Sequence, residues 1–379
     1  MPGAVRSFLR RVAASLGAIA AAACATTGPA SAGEVLYANE GNRMLRIALG
    51  AAGGGEPEVF IERASEGKPG GAAVGRRRDV NGMICAFPDG SGRFVAGEDT
   101  GQPEIPPGWG VFSPAGVQIG KLTATYHVAQ AEPYGCAFDG AGRLFTTEVG
   151  NQGFGRPLGQ LILWFPPYAA FPGASGSHPV TGAVSKNFCK LATDIGTAGA
   201  VAVDAKGRVY VASSSRGAIL RFSPPFPTSP DATGGCGATD ALGSPLAEEV
   251  AREVFVRGLY TFTGLAFGPD GLLYAASVLT GEIVAIDADG DVVRKILDPT
   301  GLLPPIETGH PQGIAFDATG SLYFADLDLV WDFPSLVPGP NGKLRRIRFD
   351  ADGRPRPPEI LVDGLEFPDG VAVMPDRFD

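Results

Sequence analysis

One short plan recurs five times along the chain: an apolar strand, a turn bearing glycine, and a second apolar strand. The copies are GCAFDGAGRLFTTEV from Gly135, VAVDAKGRVYVASS from Val201, GLAFGPDGLLYAAS from Gly264, GIAFDATGSLYFAD from Gly313 and the looser CAFPDGSGRFVAGED from Cys85. A recurring period of this size marks one supersecondary unit that cannot bury its apolar faces alone. The D-x-x-G and P-D-G turns suit tight hairpins, because glycine takes positive φ without strain. A third strand follows the copies, as in AILRF, EIVAID and KLRRIRF, and then a fourth, as in EVFVRGL, VVRKIL and EILVDGL. Four antiparallel strands repeated radially make a propeller blade, and a ring of blades covers both faces of every sheet. The 55 glycines and 33 prolines fit many turns between many strands.

The two chain ends complete the count. GLEFPDGVAVMPD from Gly364 holds an inner strand, after which the chain stops. GEVLYANEGNRMLRIAL from Gly33 reads as a second and third strand with no first strand before them. The expectation is an all-β, six-bladed β-propeller with four-stranded antiparallel blades. Its ring is closed by a blade shared between the N- and C-termini, and residues 33–379 form a single domain.

Residues 1–32 read as a secretory signal peptide. Arg6, Arg10 and Arg11 precede an apolar run, and Ala30-Ser31-Ala32 meets the small-x-small cleavage rule. Cys24 offers a rival lipoprotein site, against which the small Ala21 counts. Loss of the three arginines takes the formal charge from −9 to −12. That acidity excludes nucleic acid as a partner, since phosphate needs a basic footprint. No later run is long enough to span a membrane. The expected location is secreted or periplasmic, and the expected state is a monomer. Four cysteines remain after cleavage, and an oxidising compartment favours pairing them. Cys236 lies in a Pro/Gly-rich insertion on the bottom face, and Cys189 starts an outer strand in the preceding blade. This makes Cys189–Cys236 the favoured disulfide. Cys85 and Cys136, on neighbouring inner strands, form a second bond or stay as thiols.

Strand direction fixes where a site would lie. With strands a to d counted outward from the channel, the d-to-a and b-to-c connections share one face, the top. The residues preceding strand a there include Asp369, Asn81, Glu132 with Tyr134, Thr197, Thr263, and His310 with Gln312. The ends of the b strands add Glu40, Glu98, Asp99, Glu148 and Asp326. Such oxygen donors are what Ca²⁺ or another divalent cation takes. Asp and Asn before a strand also cap turns through the backbone, which competes with that reading. Of three histidines, His310 is the preferred general base, His127 lies near another top-side end, and His178 falls on the bottom. The blade-six top connection carries Trp331, Phe333 and Leu336, an apolar lid in prospect.

The blade pattern resembles the gluconolactonase, regucalcin and strictosidine-synthase-like superfamily of six-bladed propellers, and also NHL-repeat proteins. Asn81-Gly82 and Pro368-Asp369-Gly370 before inner strands carry the resemblance. VLYANEGNRMLRI, RVYVASSSRGAILRF and LLYAASVLTGEIVAID add the repeat texture, over nearly all of the mature chain. The resemblance implies that Asn81 and Asp369 hold a divalent cation in the channel mouth. The family's glutamate ligand has no counterpart, and Glu132 or Gln312 would stand in for it. Two functions are therefore expected to compete. One is a metal-dependent hydrolase of a lactone or ester, with His310 as base and Tyr134, Glu148, Asp326 and Trp331 as substrate contacts. The other is a non-catalytic propeller that binds a small molecule, carbohydrate, peptide or protein through its top loops.

Overall fold

The structure is a computed structural model. It describes residues 33–50, 53–62, 79–99, 108–123, 133–150, 159–168, 187–241, 243–258, 262–299, 306–332 and 335–376. Six antiparallel sheets follow one another along the chain, each built on the expected a-b-c-d order. The inner strands are Pro368–Pro375, Asp79–Ala86, Pro133–Phe138, Ala198–Val203, Phe262–Phe267 and Pro311–Phe316. Each packs against the inner strand of the next blade, in one closed circuit. The last strand, Pro368–Pro375, pairs with the first, Glu34–Glu40, in the sheet that holds both described ends. That sheet is called blade one, and the rest are numbered along the chain.

Blade faces explain the core. Every b strand is apolar on both sides because both sides meet a neighbouring blade. Tyr37, Phe94, Phe145, Tyr210, Tyr274 and Tyr323 each fall in a cluster between two blades. There is one such cluster at each of the six interfaces, so the core is a ring of interfaces around the channel.

The bottom turns show why D-x-x-G repeats. Asp139 Oδ1 accepts the N–H groups of Ala141 and Arg143, both at 2.9 Å, and Oδ2 takes the Arg143 guanidinium. Asp204 does the same with Lys206, and with the backbone and side chain of Arg208. Asp317 holds Thr319 and Ser321 by their N–H groups and accepts the Tyr323 hydroxyl at 2.8 Å. The aspartate satisfies the turn, and Gly142, Gly207 or Gly320 supplies the positive φ that closes it.

Both cysteine pairs are bonded. Cys85–Cys136 joins the inner strands of blades two and three. Cys189–Cys236 ties the outer strand of blade three to the insertion that leaves blade four. That insertion adds Pro245–Leu246 in parallel to Phe188–Ala192, and Ala238–Thr239 beyond it, giving blade three a six-stranded sheet. The buried Lys190 ammonium meets Asp240 of the insertion at 2.6 Å. Among the described residues no helix is long and apolar enough to cross a membrane. The predicted signal peptide, residues 1–32, lies outside the described residues.

Candidate ligand site at the channel mouth

The mouth is built by glycine. Each inner strand carries one near its top end: Gly370, Gly82, Gly135, Gly199, Gly264 and Gly313. A Cβ on any of them would strike the backbone of the next inner strand. At Gly82 it would meet Pro133 O at 2.8 Å, at Gly135 Gly199 O at 2.8 Å, and at Gly199 Phe262 O at 2.9 Å. At Gly264 it would meet Gln312 O, at Gly313 Asp369 O, and at Gly370 Gly82 O. The a–b register shifts at the same level in all six blades. Such a bulge turns the strand locally. Here it accompanies the contact of six backbones around the top of the channel. In the sequence the signal is a glycine near the start of each inner strand, directly after the residue that faces the mouth.

Polar side chains at this level stitch neighbouring blades. Asp369 Oδ2 accepts Gly82 N–H of blade two at 2.7 Å, and Oδ1 accepts Gly370 N–H at 2.7 Å. Asn39 donates to Gly82 O at 2.7 Å. Thr147 accepts from Gly135 N–H at 2.8 Å and donates to Gly199 O. Thr263 donates to Pro311 O at 3.3 Å.

Glu40, Glu98, Glu148 and Asp326, at the ends of their b strands, are buried and engaged. Glu40 takes both its oxygens to Arg43 at 2.9 Å and accepts Glu366 N–H. Glu98 meets Gln118 at 3.2 Å and the buried Lys121 ammonium at 3.4 Å. Asp326 binds the Arg345 guanidinium at 2.8 Å and the N–H groups of His310 and Asp328. Glu148 ends its strand buried in the same way.

Three of the four predicted metal ligands occupy equivalent positions in consecutive blades. Gln312, Asp369 and Asn81 precede the ring glycines of blades six, one and two. Glu132, His127, His178 and Phe333 lie outside the described residues. Among the described residues no three His, Cys, Asp or Glu side chains form a metal-holding group. Asp369 is the one described carboxylate of the predicted set, and each of its oxygens already accepts a backbone N–H. A hard dication takes six to eight oxygens, several of them charged. Of the four predicted ligands, Asp369 and Gln312 are the ones whose side chains are described. Tyr134 is half-buried and packs on the cluster between blades two and three.

His310 sits almost fully buried at the top of blade six. Its Nδ1 accepts Leu329 N–H at 3.1 Å, so in the neutral ring Nε2 carries the proton. Burial pushes its pKa below the usual imidazole range, against the opposing pull of Asp326. Nδ1 therefore has its lone pair occupied, and Nε2–H is a donor.

The blade-six top connection is a hairpin, Leu329–Asp332 with Ser335–Pro338. Trp331 stands 51 % exposed on it, beside Val330, while Leu279 is exposed on the matching connection of blade five. Below the glycine level, a channel cavity of about 420 Å³ is lined by residues of the inner strands, among them Met83, Cys136, Ala200 and Ile314. A larger hollow of about 710 Å³ lies on the bottom between blades five and six. Its lining carries Arg294, paired with Asp270, Arg346 and Arg348, both paired with Glu359, and Arg356.

These features define a six-bladed propeller with a stitched, glycine-narrowed channel top and an aromatic hairpin above it. Solved structures share that fold. A protein of unknown function from Bacteroides caccae is similar over 90 % of this chain and 99 % of its own, at 10 % identity and TM-score 0.50. Virginiamycin B lyase from Staphylococcus aureus is similar over 91 % and 88 %, at 13 % identity and TM-score 0.48. The calcium-binding protein regucalcin from Agrobacterium tumefaciens is similar over 79 % and 80 %, at 16 % identity and TM-score 0.46. Likeness at these identities concerns the fold alone. No protein-family model matches the chain, and no curated protein does.

Proposed function

We propose that this is an exported binding propeller that takes a small uncharged polar ligand, of the carbohydrate class, at its top mouth. One observation carries the reading. The carboxylates Glu40, Glu98, Asp326 and Asp369 are each engaged by the protein's own cations or N–H groups. These four carboxylates are thereby committed within the protein, while Asp332 stays exposed beside Trp331 on the hairpin. The Gln312 amide has no hydrogen bond among the described residues, and Trp331 offers an exposed ring. Amides meet sugar hydroxyls, and an indole face meets the apolar face of a pyranose. Export rests on the signal-peptide pattern, and the two disulfides are in keeping with an oxidising compartment. Amino-terminal sequencing of the mature protein should begin at Gly33; an intact residue 1–32 segment would count against export by this route.

The ligand test uses fluorescence. The chain has three tryptophans, and Trp109 and Trp164 are 1 % exposed, so a surface quench reports Trp331. Titration with a panel of mono- and oligosaccharides should change emission, and Trp331→Ala should abolish the change. Gln312→Ala should weaken binding about tenfold, the value of one hydrogen bond near 1.4 kcal/mol. Hydrolysis of a lactone panel by metal-loaded protein, lost in Asp369→Ala, would replace this reading with the hydrolase.

A further inference from the structure

The hairpin that bears Trp331 stands apart from the blade sheets. Among the described residues it pairs only with itself, through Leu329↔Pro338, Val330↔Val337, Trp331↔Leu336 and Asp332↔Ser335. A lone two-stranded ribbon is marginally stable in water. Its orientation must then come from its root. Asp328 makes the bend there with φ of +50°, a left-handed conformation that a non-glycine residue adopts only when its surroundings hold it. Gly339 N–H donates to Asp328 O at 2.8 Å and Asn341 N–H to Asp328 Oδ2 at 3.2 Å, which closes the neck.

Those bonds close the loop on itself. Asp326 Oδ1, at the end of the blade strand Leu322–Asp326, accepts Asp328 N–H at 3.1 Å, and the tie to the hairpin strand itself runs through His310. Its carbonyl accepts Leu327 N–H at 3.1 Å, its own N–H donates to Asp326, and its Nδ1 accepts Leu329 N–H, the first amide of the hairpin. Leu329 itself packs with Val278 of blade five, Leu327 and the partly buried Phe367 of blade one. A second observation sets this side chain apart from a space filler. His310 Nε2 is buried with no hydrogen-bond partner among the described residues. A merely apolar site would be served better by leucine, which buries no polar atom. What the imidazole supplies and leucine lacks is the acceptor that Leu329 uses.

We propose that His310 is a positioning residue that latches the Trp331 hairpin to the channel mouth through the Leu329 amide. Its place as a setter of ligand affinity rests on the binding reading above. The latch itself does not, and its test needs no ligand.

The experiment reads Trp331 in the full mature chain by acrylamide quenching and emission maximum. His310→Leu removes the acceptor, and His310→Asn keeps one, since Oδ1 lies near the place of Nδ1. In His310→Leu, quenching should rise about twofold with a red-shifted emission, as local opening of a freed hairpin becomes frequent. His310→Asn should restore the wild-type values. Adding Trp331→Phe to His310→Leu should erase the gain, which assigns it to that residue. Unchanged quenching in a folded His310→Leu, or a folded His310→Asn as loose as the leucine variant, would overturn the latch. Should His310→Leu fail to fold, hydrogen exchange of the wild-type Leu329 amide decides. Protection supports the latch, and exchange as fast as the neighbouring exposed Trp331 amide region overturns it. A failed saccharide panel with an intact latch would sink only the binding reading.

Discussion

Asp369 shows at the scale of one residue how the same sequence signal serves two chemistries. A carboxylate in a P-D-G turn before an inner strand resembles a cation ligand. In the fold its two oxygens accept Gly82 N–H and Gly370 N–H, and the side chain is 3 % exposed. The cap-forming habit of Asp before strands, noted from sequence as the competing reading, describes its visible bonds. Asp369→Ala strands two buried donors and is expected to cost about 2–4 kcal/mol, from charge-assisted bonds of about 1.5–3 kcal/mol each, partly recovered by relaxation. Chemical denaturation measures it; a midpoint unchanged at equal slope would contradict the stitch. The ring glycines are equally specific. Gly264→Ala drives a methyl onto Gln312 O of blade six, and overpacking of this kind costs about 1–3 kcal/mol or more. His310 was legible as a mouth histidine but not as an acceptor for Leu329, because that bond joins residues 19 apart through a bend that no pattern announces.

Elements were read best where they repeat. The D-x-x-G turns and the b strands follow from a pattern seen several times over. The blade-four insertion was legible only as a Pro/Gly-rich stretch carrying Cys236. Its strands Ala238–Thr239 and Pro245–Leu246 are two residues each, too short for any period to show. What fixes the insertion is chemistry rather than periodicity: the Cys189–Cys236 bond and the Lys190–Asp240 pair. Asp240→Asn leaves a lysine ammonium, 1 % exposed, without its carboxylate, and should cost about 3–5 kcal/mol. Cys236→Ala should cost roughly 4 kcal/mol by the chain-entropy relation for a loop closed over 47 residues. Comparison of melting with limited proteolysis of residues 224–250 checks both. Cleavage there without global unfolding is the expected first sign.

The whole molecule is a ring of six interfaces, with ion pairs distributed around its outside. Arg252 hydrogen-bonds Asp194 and holds its carboxyl below the usual range, and Arg346 does the same to Glu359. Both folded-state pKa values lie below the unfolded ones of 3.8 and 4.5. Their stabilisation is thus fully present above the unfolded values and is lost as pH falls through the folded ones. Melting temperature should hold between pH 7 and 5 as far as these pairs are concerned and drop below about pH 4. Arg252→Gln should flatten that drop. The architecture was legible because the repeat, seen five times over, gives the four-stranded blade and its number. The site was not, because oxygen-bearing side chains at the mouth look alike in sequence whether they bind a cation, an arginine or a backbone amide. Arg43 for Glu40, Lys121 for Glu98 and Arg345 for Asp326 become partners only once strands are placed side by side. The most direct test of this account is elemental analysis of the purified mature protein beside Asp369→Asn, with melting followed in both. The account predicts that Asp369→Asn lowers the melting temperature with no change in bound divalent metal. A stoichiometric divalent cation in the wild type that disappears in Asp369→Asn would contradict it.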